Sequence, residues 1–258
     1  MTEHPPAGEV RELLGFALEL ARAAGDHTLR YFGSRMDHAA KGDGSPVTIA
    51  DREAEVLLRE RIAARFPEHG VLGEEHGESN PGARVRWILD PIDGTRSFMR
   101  GVPLYGVLVG VEVGGLAAVG VAHFPALGET VAAGTGLGCT WNGKPCRVSP
   151  VTRLSDALVL TTDPRAVADD PGWHALEGQA STVRGWSDCY GHALVATGRA
   201  EVMLDPVMNA WDSAPFLPIV TEAGGRFTDR GGVATIHGGS AVSTNGALHA
   251  QVLQALGT

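Results

Sequence analysis

The sequence predicts a layered α/β (α+β) protein of two lobes. Three observations predict it. Apolar, glycine-punctuated runs crowd residues 85–133, as the strands of a meander do. Beyond residue 145 strand-like runs alternate with helix-like segments. The 258 residues suffice for one large domain or two lobes with a shared core. No linker composition, repeat or low-complexity segment marks a join, so the lobes are placed at 1–145 and 146–258.

The elements follow in order. Val10, Leu13, Leu14, Ala17, Leu20, Ala21 and Ala24 recur at helical spacing, and Gly33 closes that helix. Residues 34–47 are polar and glycine-rich and read as a loop. Thr48 opens a second helix to about Arg65, with Val56, Leu57 and Ile62 inward and Pro67 beyond its end. Val71-Leu72 is a short strand running into Gly73-Glu74-Glu75. Val85 to Leu89 is a buried strand. Residues 104–113, 116–124 and 129–133 are further strands, and Asn142-Gly143 is a hairpin turn. In the second lobe, 157–162, 200–204 and 241–243 read as strands. Residues 188–198, 211–223 and 246–256 read as helices, the second of them stopped by Gly224-Gly225.

Composition excludes several classes. A net charge of −9 without a basic stripe argues against nucleic acid. No apolar stretch reaches membrane-spanning length, and the polar start Met1-Thr-Glu-His lacks a signal-peptide pattern, so the cytoplasm is the expected compartment. Cys139, Cys146 and Cys189 form no C-x-x-C pair and read as free thiols. The ten histidines show no H-E-x-x-H spacing.

The chemistry concentrates in Asp90-Pro91-Ile92-Asp93-Gly94-Thr95. A buried strand ends there in two close carboxylates, which repel unless a cation neutralises them. Gly94-Thr95 can offer amides and a hydroxyl to an anion. Asp-Pro and Asp-Gly are also turn dipeptides. Glu74 or Glu75 would extend an oxygen shell suited to magnesium, or stand solvated in a loop. Asp51, three residues after Thr48, reaches this site or completes a capping box. Asp212 is a further acid, or one that only suits a helix dipole. Gly134-x-Gly136-x-Gly138 reads as turns rather than a nucleotide loop.

Four blocks in order resemble the inositol monophosphatase superfamily: Lys41-x-Asp43-x-Ser45 through Thr48 to Asp51; Gly73-Glu74-Glu75; Asp90 to Thr95; and Trp211-Asp212 through Glu222-Ala-Gly-Gly. The resemblance spans nearly the whole chain. It implies a sugar-phosphatase fold of alternating helix and sheet layers. It also implies two or three Mg2+ ions on Glu74, Asp90, Asp93, Asp212 and the Ile92 carbonyl, with Asp51 holding a weaker one and pairing with Thr95. The Gly94 and Thr95 amides would receive phosphate, and Glu74, Thr95 and Asp51 would act on the attacking water.

Within the superfamily the chain looks most like the histidinol-phosphatase branch, on Arg96-Ser97-Phe98-Met-Arg100-Gly101-Val-Pro103, Trp186-Ser187-Asp188-Cys189 and Asp205-Pro206. Ser187 stands where this branch would carry Gly. Asp188, Asp205 and Arg100 would face the substrate, and two added carboxylates suit a cationic leaving group. The implied reaction is hydrolysis of L-histidinol phosphate in histidine biosynthesis by a homodimer. An inositol-1-monophosphatase or broad sugar phosphatase is the same-class alternative, and an inactive metal-binding regulatory protein the different-class one.

Overall fold

The computed structural model describes residues 5–34, 38–40, 46–185 and 188–258. Helix α1 (Ala7–Leu29) is followed by a two-stranded hairpin, β1 (His38–Ala40) and β2 (Pro46–Thr48), and by helix α2 (Ile49–Arg65). Strands β3 (Gly70–Gly73), β4 (Gly77–Ser79) and β5 (Val85–Asp93) lead into the short helix α3 (Thr95–Met99). Then come β6 (Gly106–Val113), β7 (Leu116–Phe124), β8 (Glu129–Gly134), β9 (Gly138–Trp141) and β10 (Lys144–Pro145). The rest comprises β11 (Leu158–Thr161), α4 (Pro171–Glu177), β12 (Thr182–Gly185), α5 (Asp188–Ala196), β13 (Val202–Asp205), α6 (Ala210–Ser213), α7 (Phe216–Glu222), β14 (Arg226–Thr228), β15 (Ala241–Thr244) and α8 (His249–Ala255).

Strands β3 to β10 form one eight-stranded sheet and β11 to β15 a five-stranded one. Their alternating side chains build the layers. Val107, Val109 and Val111 of β6 point to α1 and α2, joining Leu13, Leu20, Leu58 and Trp87. Leu108, on the opposite face, joins Tyr190, Leu194, Phe216 and Ile219 from α5 and α7. Those helices also cover Leu160 and Met203 of the second sheet. Val159, Val202 and Leu204, on its far face, bury Trp173 of α4 and Val252 of α8. The order is helix, sheet, helix, sheet, helix, so the expected alternation of layers holds.

Four local expectations need correction. Residues 38–40 and 46–48 form a hairpin inside the stretch read as loop. Val56 faces outward at 42% exposed, and Ala54, Leu58 and Ile62 make the inner face of α2. The helix read over 211–223 is two, α6 and α7, broken at Pro215, which lacks the N–H to continue a helix. Helix α4 and strands β12 and β14 were not read at all; they are short, and β12 is half polar and exposed at one end.

The break at Pro215 is seated on two glycines. Gly110 of β6 and Gly120 of β7 are paired across the ladder. A Cβ at Gly110 would lie 2.5 Å from Ala214 Cβ, and one at Gly120 2.0 Å from Pro215 O. Only a bare backbone leaves room there, so this saddle brings α6 down onto β5 and β6.

Candidate active site

Strand β5 packs between α2 and α6, and at its C-terminal end its ladder with β6 shifts register between Asp90 and Asp93. A bulge of this kind re-aims side chains. Asp90 Oδ1 accepts the Ile92 amide at 3.0 Å, which turns the chain. Asp93 Oδ2 accepts the Cys189 amide of α5 at 2.6 Å. Gly94 follows with φ +82°, a left-handed conformation suited to glycine, and α3 starts at Thr95.

Asp90, Asp93 and Asp212 each bring a carboxylate oxygen within 4.8 Å of the others. Burial pushes Asp90 and Asp93 well above the usual carboxylate range. Glu74 and then Asp93 add to it at Asp90, and Asp188 and then Asp212 at Asp93. Burial also pushes Asp212 up to about 6, although hydrogen bonds from Asn209 pull the other way. Negative charge packed this closely is stable only with protons or a cation. An all-oxygen donor set fits a hard divalent ion such as magnesium.

Glu74 joins the cluster from the end of β3. Gly73 is in parallel register with Leu89, and the Glu74 amide donates to Leu89 O at 3.2 Å, which sets Glu74 beside Asp90. Asp51 arrives from α2. Its Oδ2 accepts the Thr48 amide at 2.8 Å in a capping box, leaving Oδ1 3.5 Å from the Thr95 hydroxyl. That hydroxyl donates more closely to Ile92 O, at 3.1 Å. Asp212 repeats the device, its Oδ2 closing a capping box with the Asn209 amide at 2.7 Å. Helix capping and membership of the cluster are therefore compatible at both acids.

Beside the cluster lies a cavity of about 120 Å³ lined by Asp93, Thr162, Asp188, Asp205, Met208 and Asp212. Asp188 has φ +50° and donates its amide to Thr162 Oγ1 at 3.0 Å. Burial, then the charges of Asp205 and Asp212, push its carboxyl up to about 7. Asp205 is less free than the sequence implied. Its Oδ1 accepts the Thr162 amide at 3.1 Å, and its Oδ2 lies 3.2 Å from His192 Nε2. His192 is itself buried, with Nδ1 2.7 Å from Ser243 Oγ. Arg100 caps the C-terminus of α3 from an exposed position. The guanidinium whose charge reaches Asp188 is that of Arg96. Lys41, Asp43, Ser45, Trp186 and Ser187 lie outside the described residues.

The model of the inositol monophosphatase family matches residues 9–258. The chain belongs to this family. Family membership makes it a phosphomonoesterase, from a family that is generally metal-dependent. A histidinol-phosphatase of Chlorobaculum parvum is 49% identical over 249 residues, covering 95% of this chain and 96% of that protein. A histidinol-phosphatase of Mycobacterium tuberculosis is 38% identical over 258 residues, covering 94% and 97%. Among solved structures, an IMPase of Thermotoga maritima has a TM-score of 0.87 at 30% identity, covering 95% of this chain and 97% of that one. Among the described residues no helix is long and apolar enough to cross a membrane.

Sequence reasoning missed Thr162, His192 and Arg96. Thr162 lines the cavity and His192 contacts Asp205 from behind it, and they lie 43 and 13 residues away from Asp205. No local pattern announces such partners.

The acid cluster predicts how metal-free protein responds to pH. Asp188 and Asp212 ionise near 3.8 in the unfolded chain and at about 7 and about 6 in the fold. Between those values the folded state holds more protons, so stability falls as pH rises from about 4 to about 7. In EDTA the melting temperature is expected to drop between pH 5 and pH 7.5, and saturating magnesium to abolish the drop. A flat or rising metal-free profile would show that the acids do not strain the fold.

Proposed function

We propose that this protein is a magnesium-dependent phosphatase that hydrolyses L-histidinol phosphate to L-histidinol and phosphate. The observation that carries the substrate is the acidic cavity: Asp188 and Asp205 line it next to Asp93 and Asp212. A leaving group with an ammonium and an imidazole suits that field, and a neutral polyol gains little from it. The names of the two bacterial relatives agree with this choice.

In this reading Glu74, Asp90, Asp93, Asp212 and the Ile92 carbonyl hold magnesium, with Asp51 on a weaker site, two or three ions in all. Bound there, magnesium lowers the pKa of water and neutralises charge on the phosphate. The Gly94 and Thr95 amides, at a helix start where N–H groups lack intrahelical acceptors, receive phosphate oxygens. Thr95 directs its hydroxyl hydrogen bond to Ile92 O, so its oxygen can accept a hydrogen bond from the attacking water. Asp51 and Glu74 orient that water and take its proton. Water attacks phosphorus in line, the bond to the leaving oxygen breaks, that oxygen takes a proton from solvent water to give the alcohol, and no phosphoenzyme forms. Asp188 and Asp205 hold the cationic leaving group, Asp205 through its remaining lone pairs. Arg96, whose charge favours the ionised form of Asp188, would balance that acid in place of Arg100.

The first lobe, 1–145, then supplies most metal ligands. The second, 146–258, supplies Asp212 and the substrate-facing acids. A homodimer in the cytoplasm, acting in histidine biosynthesis, completes the proposal.

Phosphate release tests it. Histidinol phosphate, inositol 1-phosphate and fructose 1,6-bisphosphate are compared with magnesium and with excess EDTA. Histidinol phosphate is expected to lead in kcat/KM by at least about tenfold, the worth of one charged hydrogen bond, and EDTA to stop all release. A lead for inositol 1-phosphate would favour the inositol-1-monophosphatase reading. Release from none of the three would favour a regulatory protein.

A further inference from the structure

One turn beyond Asp51, on the same face of α2, stands a second acid. Glu55 is fully buried. Its carboxylate accepts the Glu75 amide at 2.7 Å, the His76 amide at 3.2 Å and Arg59 Nε at 2.7 Å. Arg59 reaches on to Gly77 O and to Ser79 Oγ. The Glu55–Arg59 pair thus grips the turn between β3 and β4, directly after Glu74. On the other side, the Glu74 amide is tied to Leu89 O. Glu74 is pinned both before and after its side chain.

The grip works against a force. The Glu74 charge disfavours ionisation of Asp51, Asp90 and Asp212 alike. An untethered loop would relieve this repulsion by swinging Glu74 outward. Glu55 adds little repulsion of its own, because Arg59 neutralises it in place. Contact with the loop is also tight, since a Cβ at Gly73 would lie 2.1 Å from Glu55 Oε1.

We propose that Glu55 is a positioning residue for the metal site, holding the Glu74 loop in place against the repulsion of Asp51, Asp90 and Asp212. The inference rests on Glu74 being a metal ligand. Binding of manganese(II) alone, read from the EPR signal of the free ion, tests it without turnover. Glu55→Gln is expected to weaken binding about tenfold, and by less than about twofold in the Glu74→Gln background, because the two side chains act through one ligand. Gly73→Ala disturbs the same contact without removing a charge and is expected to behave alike. If Glu55→Gln does not fold, Gly73→Ala in both backgrounds decides by the same comparison. Equal losses with and without Glu74, or wild-type binding in the variants, would overturn the positioning role. Wild-type binding by Glu74→Gln alone would overturn the ligand assignment and this inference with it.

Discussion

Asp93→Asn is expected to cut turnover at least a hundredfold while the metal-free protein melts no lower than wild type. The side chain keeps its shape, and the amide oxygen of Asn can still accept the Cys189 N–H that Asp93 Oδ2 now receives at 2.6 Å. What disappears is a charge held between Asp90 and Asp212. A hundredfold loss corresponds to about 2.7 kcal/mol of transition-state stabilisation. That is within the several kcal/mol a metal ion supplies to such reactions. Without metal the same charge is a burden, since burial and then Asp188 and Asp212 raise the carboxyl far above its usual range. The substitution therefore separates catalysis from stability. Phosphate release with magnesium, and thermal melts in EDTA, read the two effects. Near-wild-type turnover would remove Asp93 from the metal site. A collapsed melt would mean that its bond to α5 matters more than its charge.

Asp188→Asn is expected to lower kcat/KM for histidinol phosphate tenfold to a hundredfold and to leave neutral monoesters within about threefold. A charge-assisted hydrogen bond to a bound substrate is worth roughly 1.5–3 kcal/mol, which sets the range. Asn is the cleanest replacement here. Asp188 has φ +50°, a region that Asn and Asp tolerate and most residues do not. Its amide bond to Thr162 Oγ1 involves the backbone and survives. The Asp188 side chain lies close against Gly94, where an added Cβ would meet Asp188 Oδ2 at 3.0 Å, so a larger substitution would disturb the turn at Gly94. The ratio between charged and neutral substrates is the deciding quantity. Equal losses on both would make Asp188 a structural residue at the start of α5.

The sequence showed the site best where one short segment held both its frame and its chemistry. Val85 to Leu89 announced a buried strand, and Asp90-Pro91-Ile92-Asp93 announced its end, where the bulge lies. Thr48 and Asp51 had two readings, capping box and site, and the structure gives Asp51 contacts with Thr48 and Thr95 both. Asp212 had two other readings, site acid and helix-dipole acid, and neither showed that it closes a capping box with Asn209. Asp205 has partners that its own sequence context does not show, because they are distant in sequence. A hydrogen bond to Thr162 and a contact with His192 cannot be inferred from Asp205-Pro206. Arg96 lies in the first turn of α3 and Arg100 at its C-cap, and which of the two comes near enough for its charge to reach Asp188 depends on how α3 is seated, a matter of packing. Glu55 carried no reading in the sequence. Its burial follows from how close β3 comes, at a glycine.

The saddle of Gly110 and Gly120 brings Asp212 to acids that precede it in the chain by a wide margin. During synthesis at about 5–20 residues per second, on the order of ten seconds pass between the appearance of Asp93 and that of Asp212. Throughout that interval Asp90 and Asp93 exist without their third companion. A nascent chain therefore cannot assemble the carboxylate cluster until α6 has emerged and settled on the two glycines. The carboxylate cluster is completed late, by the docking of α6 onto β5 and β6.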